Sequence, residues 1–346
     1  MKPQTCYRIH RAQPPRSEGA DFLGSVFPEH AFPPVMGTGD DFQLACRRGY
    51  AAMGESRVAI AGLARNVGGV LPLTIRRIEE LGRWFADYRV FVYENDSIDD
   101  TRSLLRGWTR SNSRVHITCD DLRDPVNPTT RCLARAERMA LYRHRCQEDV
   151  LARCGRFDFT ILIDLDVLGG WSVDGIANSF GHHGWDFVGS NGLVYRRDHL
   201  AMNALRQYDT WALRFDDALT PLKTSSAGGL VYGRGEPLVP VTSCFGGLGI
   251  YTMDAYGAGR YAIDDLEHAT FHRELIARGR SRLFLNPSQI LVYGRRRRFG
   301  DQTVERFLDI WSAVSGRHRQ RTLFPPVAMP RPAERAADEA AVRAAA

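Results

Sequence analysis

Lysine is almost absent from this chain: Lys2 and Lys223 are the only two among 46 basic residues, so the net charge of +6 rests on arginine. Guanidinium is a planar, forked donor matched to phosphate and carboxylate, so phosphate ligands are permitted, although a general codon preference would produce the same excess. Charge alone does not exclude nucleic acid, but no nucleic-acid partner is expected. No apolar run approaches the roughly 18 to 20 residues that span a bilayer. The start, with Lys2, Arg8, Arg11 and Pro14, has no signal-peptide hydrophobic stretch. CxxC pairs are missing too. The seven cysteines (Cys6, Cys46, Cys119, Cys132, Cys146, Cys154, Cys244) are odd in number and scattered, which argues against a metal-ligand set and for a reducing compartment. The expectation is a cytoplasmic protein, with at most peripheral contact at the inner membrane face.

What is present is a strand–helix alternation. Residues 1–55 carry prolines, glycines and no sustained periodicity and read as an extension packed on the main domain. From Arg57 onward, 58–62, 88–95, 115–119 and 158–167 read as strands, and 69–85, 100–109 and 131–152 as helices. This order predicts an α/β fold: a mostly parallel, Rossmann-like sheet covered on both faces, with ligands at the carboxyl ends of the strands. Beyond 170 the pattern turns aromatic and glycine-rich, as expected of a substrate-binding half, with a helix-like stretch over 268–279. The segment 296–346 reads as a C-terminal extension with a flexible tail.

Asp164 and Asp166 close the most apolar strand, and strand alternation would put both carboxylates on one side with Leu165 opposite. Paired carboxylates repel unless a cation joins them, and a hard divalent ion would do so while completing its shell with diphosphate oxygens. An acidic strand end capping a helix is the other reading. Glu94, Asn95, Asp96 and Ser97, followed by Asp99 and Thr101, could bind ribose hydroxyls and base edges or form an ordinary helix cap. On the long helix, Arg131, Arg135, Arg138, Tyr142 and Arg145 share a polar face, whereas Arg143 interrupts the apolar stripe of Cys132, Ala136, Met139, Cys146 and Val150 and needs a partner. A diphosphate or a strand-end carboxylate would serve. Glu267 and His268 could move a proton, and His272, four residues on, could ligate the metal or pack beside Phe271. Phe245, Gly246 and Gly247 would admit a ligand to the backbone or mark a turn. Trp171, Trp185, Tyr195, Tyr208 and Trp211 offer faces for sugar stacking. Arg295 to Arg298 read as a solvated patch or a contact for anionic lipid.

Taken in order, these segments resemble the GT-A glycosyltransferases, and most closely those similar to the fungal capsule-associated α-1,3-mannosyltransferase family and its bacterial relatives. The likeness covers about residues 57 to 293 and rests on 64–66, 94–97 with Asp99 and Thr101, 138–140 with Arg143, 164–166, 191–192, 208–212, 245–251, Glu267-His268 with Phe271-His272, and 284–287. It implies a nucleotide-sugar donor, GDP- or UDP-linked, held by Ala64, Arg65, Asn66, Glu94, Asn95, Asp96, Ser97, Arg135, Arg138, Arg143 and Asp164. It further implies Mn²⁺ or Mg²⁺ on Asp164 and Asp166 with His272, catalysis at Glu267 and His268, and a sugar or acceptor surface of Trp171, Asn191, Asp209, Trp211, Phe245, Gly246 and Gly247. The acceptor would be a glycan, a lipid-linked or a small molecule. His268 stands where many inverting members carry a second acid. Two rivals remain: a sugar nucleotidyltransferase, whose glycine-rich basic loop LeuAlaArgAsn at 63–66 does not supply, and a non-catalytic nucleotide- or carbohydrate-binding protein.

Overall fold

The computed structural model describes residues 26–127, 132–197, 203–216, 230 and 232–295. Helix α1 (Gly39–Glu55) precedes the alternating elements β1 (Arg57–Ala64), α2 (Leu71–Gly82), β2 (Asp87–Asn95), α3 (Thr101–Ser111), β3 (Val115–Asp120), α4 (Leu133–Cys154) and β4 (Phe159–Ile163). Then come β5 (Gly170–Trp171), α5 (Val173–Phe180), β6 (Phe187–Arg197), β7 (Asn203–Gln207), β8 (Val239–Pro240), β9 (Leu248–Thr252), α6 (Met253–Ala258), α7 (Glu267–Ala277) and β10 (Leu283–Arg295). Among the described residues no helix is long and apolar enough to cross a membrane.

Among the described residues ten strands form one sheet in the order β3-β2-β1-β4-β9-β6-β10-β5, with β7 on β6 and β8 on β10. β1 runs parallel to β2 and β4, β2 to β3, and β6 to β10, while β9 is antiparallel to both its neighbours. β5 and β8 lie antiparallel on β10 and β7 on β6, so the sheet is mixed, with most of the paired residues in its parallel pairings, the α/β architecture expected. Strand alternation assigns each face its own core. Val58, Ile60, Val90, Val92, Ile161 and Ile163 pack with α2, α3 and α5 residues such as Ile78, Leu105 and Ile176. Their neighbours Ala59, Ala61, Phe91, Tyr93 and Leu162 pack with Tyr142, Cys146, Val150, Ala255 and Phe271 of α4, α6 and α7. Helices thus cover both faces, which is why these strands are apolar throughout.

Chain order reverses between β1 and β4: β2 and β3 add on one side of β1 and β4 on the other. The crevice outside the carboxyl ends of such a pair is where open α/β sheets bind ligands. The antiparallel β9 begins at Leu248, opposite Ile163, so the glycine turn before it also arrives at this edge.

Two expectations change here. β4 stops at Ile163: the Asp164 amide still donates to the Gly247 carbonyl at 2.9 Å, but the facing segment turns at Gly246 and Gly247, both at positive φ, and the two aspartates stand in the turn beyond the strand. Residues 39–55, read as irregular, are helical. The buried positions are Phe42, Ala45, Cys46, Gly49 and Met53, and a Cβ on Gly49 would fall 1.6 Å from the Ala177 carbonyl oxygen of α5. Small residues let the two helices touch backbone to backbone, and they also hide the apolar periodicity. Arg131, the Tyr195 side chain and residues 296–346, including Arg296 to Arg298, lie outside the described residues.

Candidate active site

The turn after β4 places its two carboxylates differently. Asp164 is partly buried and Asp166 is solvent-exposed, while Leu165 between them is buried against Gly62. Burial raises the Asp164 pKa to about 7, with Asp166 and Glu267 pushing in the same direction and Arg143 opposing. Asp166, although exposed as a residue, is also raised, burial of its carboxyl being the first cause and the Tyr293 hydrogen bond opposing it. Two aromatic hydroxyls that sequence reasoning did not assign hold the pair. Tyr208 donates to Asp164 Oδ2 at 3.2 Å, Tyr293 donates to Asp166 Oδ2, and the two rings stack at 4.4 Å and 12°. The sequence offers Tyr208 only as a sugar-stacking face, and nothing in local sequence ties Tyr293, on β10, to Asp166.

Arg143 lies on the buried face of α4, as the interrupted stripe predicted. It is 6% exposed and sits between two carboxylates, with Nη2 3.5 Å from Asp164 Oδ1 and Nε 3.5 Å from Glu267 Oε1. Its guanidinium lies 5.1 Å from the Phe245 ring centroid. Arg145 instead stays at the surface with Asp120, and Tyr142, placed on the polar face by pattern, is buried with its hydroxyl on Asp124.

Glu267 opens α7 and is 4% exposed; its Oε2 is buried without a hydrogen-bond partner. The next residue, His268, stacks on Phe245 at 3.9 Å and 18°, and neither ring nitrogen has a partner. Burial, followed by Arg143 and His272, depresses its pKa well below the usual imidazole value, so the ring is neutral. Such orphaned polar atoms are costly in a finished core and are accounted for when a ligand supplies the missing bonds. Asp209, in the left-handed region at φ 54, accepts from the Gly246 amide at 3.3 Å. Burial, with Asp164 and Glu267, lifts its pKa to about 8. Gly246 (φ 65) cannot carry a side chain, since a Cβ would meet the Ser190 oxygen at 2.2 Å.

The loops after β1 and β2 are closed on each other. The Asn66 amide donates to Ser97 Oγ at 3.0 Å, the Ile98 amide to Asn66 Oδ1 at 2.9 Å, and the Gly68 amide to Asp99 at 2.9 Å. Arg65, beyond Ala64, donates to the carbonyls of Asp124 and Pro125. Asp96 takes bonds from Asn95 and from the Arg123 and Asp124 amides, which hold its carboxyl below its ordinary value although burial alone would raise it. Arg138 donates to Asn127 at 2.7 Å.

Three expected site residues are corrected. Glu94 is fully buried, with one oxygen on the Ser97 amide at 2.8 Å and the other on Arg102 at 2.6 Å, so it braces the loop and does not face a ribose. His272 is no metal ligand here: Nδ1 bonds Ser243 at 2.9 Å, Nε2 bonds Tyr251 at 2.8 Å, and the ring is fully buried. Trp171 is a core residue at 3% exposure, and Trp185 one at 6%. Asn191 is fully buried and its side-chain amide donates to the Tyr232 and Pro287 carbonyls, while its Oδ1 is without a partner, as in Glu267 and His268. Trp211 remains half-buried with Arg135 over its ring at 5.7 Å.

No protein-family model matches the chain, and no curated protein sequence does. Solved structures with a distant likeness include a mannosyltransferase from Pyrobaculum calidifontis in complex with GDP-Man and Mn²⁺, 14% identical over 74% of this chain and 65% of that one, TM-score 0.42. Glucosyl-3-phosphoglycerate synthase from Mycobacterium tuberculosis with Mn²⁺ and UDP is 14% identical over 78% and 83%, TM-score 0.40. Mannosyl-3-phosphoglycerate synthase from Rubrobacter xylanophilus is 15% identical over 83% and 82%, TM-score 0.40. Similarity of this degree is too slight to assign an activity, which has to come from the site itself.

Proposed function

We propose that this protein is a metal-dependent glycosyltransferase of GT-A type, moving a hexosyl group from a GDP- or UDP-linked sugar to an acceptor hydroxyl. The supporting observation is Arg143, a buried guanidinium 3.5 Å from both Asp164 and Glu267 at the reversal point of the sheet. That arrangement puts a fixed cation between a candidate metal-binding pair and a candidate proton acceptor. The mannosyl donor implied by the fungal capsule resemblance is the finer form of the same reading. The six described cysteines are free thiols, in keeping with a reducing, cytoplasmic setting.

The residues fit a hard divalent cation, Mn²⁺ or Mg²⁺. Asp164 and Asp166 supply oxygen donors whose mutual repulsion a cation would relieve. Among the described residues no group of three or more acidic, histidine or cysteine side chains forms a full cage, so the remaining positions would go to water and diphosphate oxygens, the habit of such ions at phosphate sites. When bound, the ion would neutralise charge on the departing diphosphate. Arg143 adds positive charge from the protein side. Glu267 Oε2 accepts the proton of the acceptor hydroxyl as that oxygen bonds to the anomeric carbon. The bond from that carbon to the diphosphate oxygen breaks, and its electron pair leaves with the diphosphate. Neutral His268 offers its ring nitrogens to sugar hydroxyls.

The test is incubation with a panel of GDP- and UDP-sugars and Mn²⁺, following release of nucleoside diphosphate. Mn²⁺-dependent release supports transfer. Release of pyrophosphate from a sugar phosphate and a nucleoside triphosphate, or no turnover with any donor, would reject it.

A further inference from the structure

A cavity of about 310 Å³ lies between the first turn of α4 and the residues leading into α7, within the size range of small-ligand sites. Leu133, Ala136, Trp211 and Leu266 form its apolar wall, and Arg135, Asp264 and Asp265 are its charged members. Leu266 directly precedes Glu267. Arg135 is eight residues before Arg143 on α4, about 12 Å along the helix axis, and its charge is felt by Asp166. The cavity therefore adjoins the reacting centre without being part of it.

The two acids are already engaged. Asp264 receives Arg273 through two contacts of 2.7 Å. Asp265 accepts the Leu266 amide at 2.7 Å and lies 4.0 Å from Arg214. Arg135 is not: among the described residues it has no hydrogen-bond acceptor and no ion-pair partner, its Nε is buried, and its guanidinium is kept in place over Trp211 at 5.7 Å. A guanidinium oriented by an aromatic ring and left without an anion is a preformed fork for carboxylate or phosphate.

We propose that this cavity is the acceptor subsite, and that it selects a pyranoside bearing an anionic group, carboxylate or phosphate, which Arg135 grips while the ring lies against the aliphatic wall. The assignment rests on the transferase reading for its role, but the binding it describes can be measured without turnover. It also moves Arg135 from the donor diphosphate to the acceptor.

The experiment uses the full chain and equilibrium binding followed by saturation-transfer NMR. The probes are methyl glucuronide and glucose 6-phosphate, with methyl glucoside as the neutral counterpart, each with and without Mn²⁺ plus GDP or UDP. The expected result is at least tenfold tighter binding of an anionic probe than of the glucoside, undiminished by nucleotide. Arg135→Gln should abolish that preference, and Arg135→Lys should retain part of it, with melting temperatures close to wild type. The proposal is overturned if both anionic probes bind no better than the glucoside, if Arg135→Gln keeps the preference, or if nucleotide displaces the anion, which would return Arg135 to the diphosphate. Failure of the transferase reading would show separately, as absent nucleoside diphosphate release.

Discussion

The loops after β1 and β2 and the cluster around Arg143 sit at the same edge of the sheet and are both rich in polar side chains, yet their hydrogen-bond accounting is opposite. In the loops, Glu94, Asp96 and Asp99 are each bound by amides or a guanidinium of the protein itself. In the cluster, Glu267 Oε2 and both nitrogens of His268 are buried and unmatched. The first set is consumed by folding; the second is left unmatched, and the proposed function assigns it to a ligand. Polar residues beside the crevice therefore differ in how far folding satisfies them, although Arg65 Nε in the β1 loop is buried and unmatched as well.

Mutations can break this contrast. Glu267→Gln is expected to lower kcat by roughly 10²- to 10⁴-fold, the usual contribution of a positioned proton acceptor, with donor affinity unchanged; a near wild-type kcat would pass the role to His268. Arg143→Ala leaves buried Glu267 and half-buried Asp164 without their shared cation, and should cost about 3–5 kcal/mol of stability or weaken donor binding. Arg145→Ala, which removes an exposed pair with Asp120, should cost no more than about 1 kcal/mol. Thermal melts and donor titrations of the two variants compare them directly, and equal behaviour would contradict the placement of α4. Glu94→Ala should be destabilising by about 1–3 kcal/mol, because the Ser97 amide and Arg102 lose their acceptor, while kcat at saturating donor is retained.

A smaller effect concerns pH. Asp164 and Asp209 have folded pKa values raised to about 7 and about 8, above the unfolded carboxylate value of about 3.9. Between these limits the folded state binds more protons than the unfolded one, so their contribution to stability falls as pH rises from about 4 through about 8. The metal-free protein should lose this increment on going from pH 5 to pH 8, and Mn²⁺ should raise the melting temperature more at pH 8 than at pH 5. A Mn²⁺ effect independent of pH would sink the claim that the cation relieves repulsion among these carboxylates.

The first hundred residues of the sheet were legible because strands buried on both faces are apolar throughout and helices between them keep a 3.6-residue stripe. Arg143 was legible for the same reason, as a charge where the stripe required an apolar residue. Helix α1 escaped because Ala45, Cys46 and Gly49 form much of its buried face, and close packing on α5 favours the small side chains that blur a periodicity. Glu94 and His272 look like site residues in sequence, and only long-range partners such as Arg102 and Tyr251 show that they are satisfied internally. Tyr293 could not be found, since its link to Asp166 joins positions 127 apart in the chain.

The most direct measurement is calorimetric titration of Mn²⁺, in the presence of the donor nucleotide, into wild-type protein and folded Asp166→Asn, together with Mn²⁺-dependent nucleoside diphosphate release by both. Asp166 is exposed in a turn and not a core contact, so the variant should keep its melting temperature and lose both the bound ion and turnover. Unchanged Mn²⁺ binding and activity in folded Asp166→Asn would contradict the account.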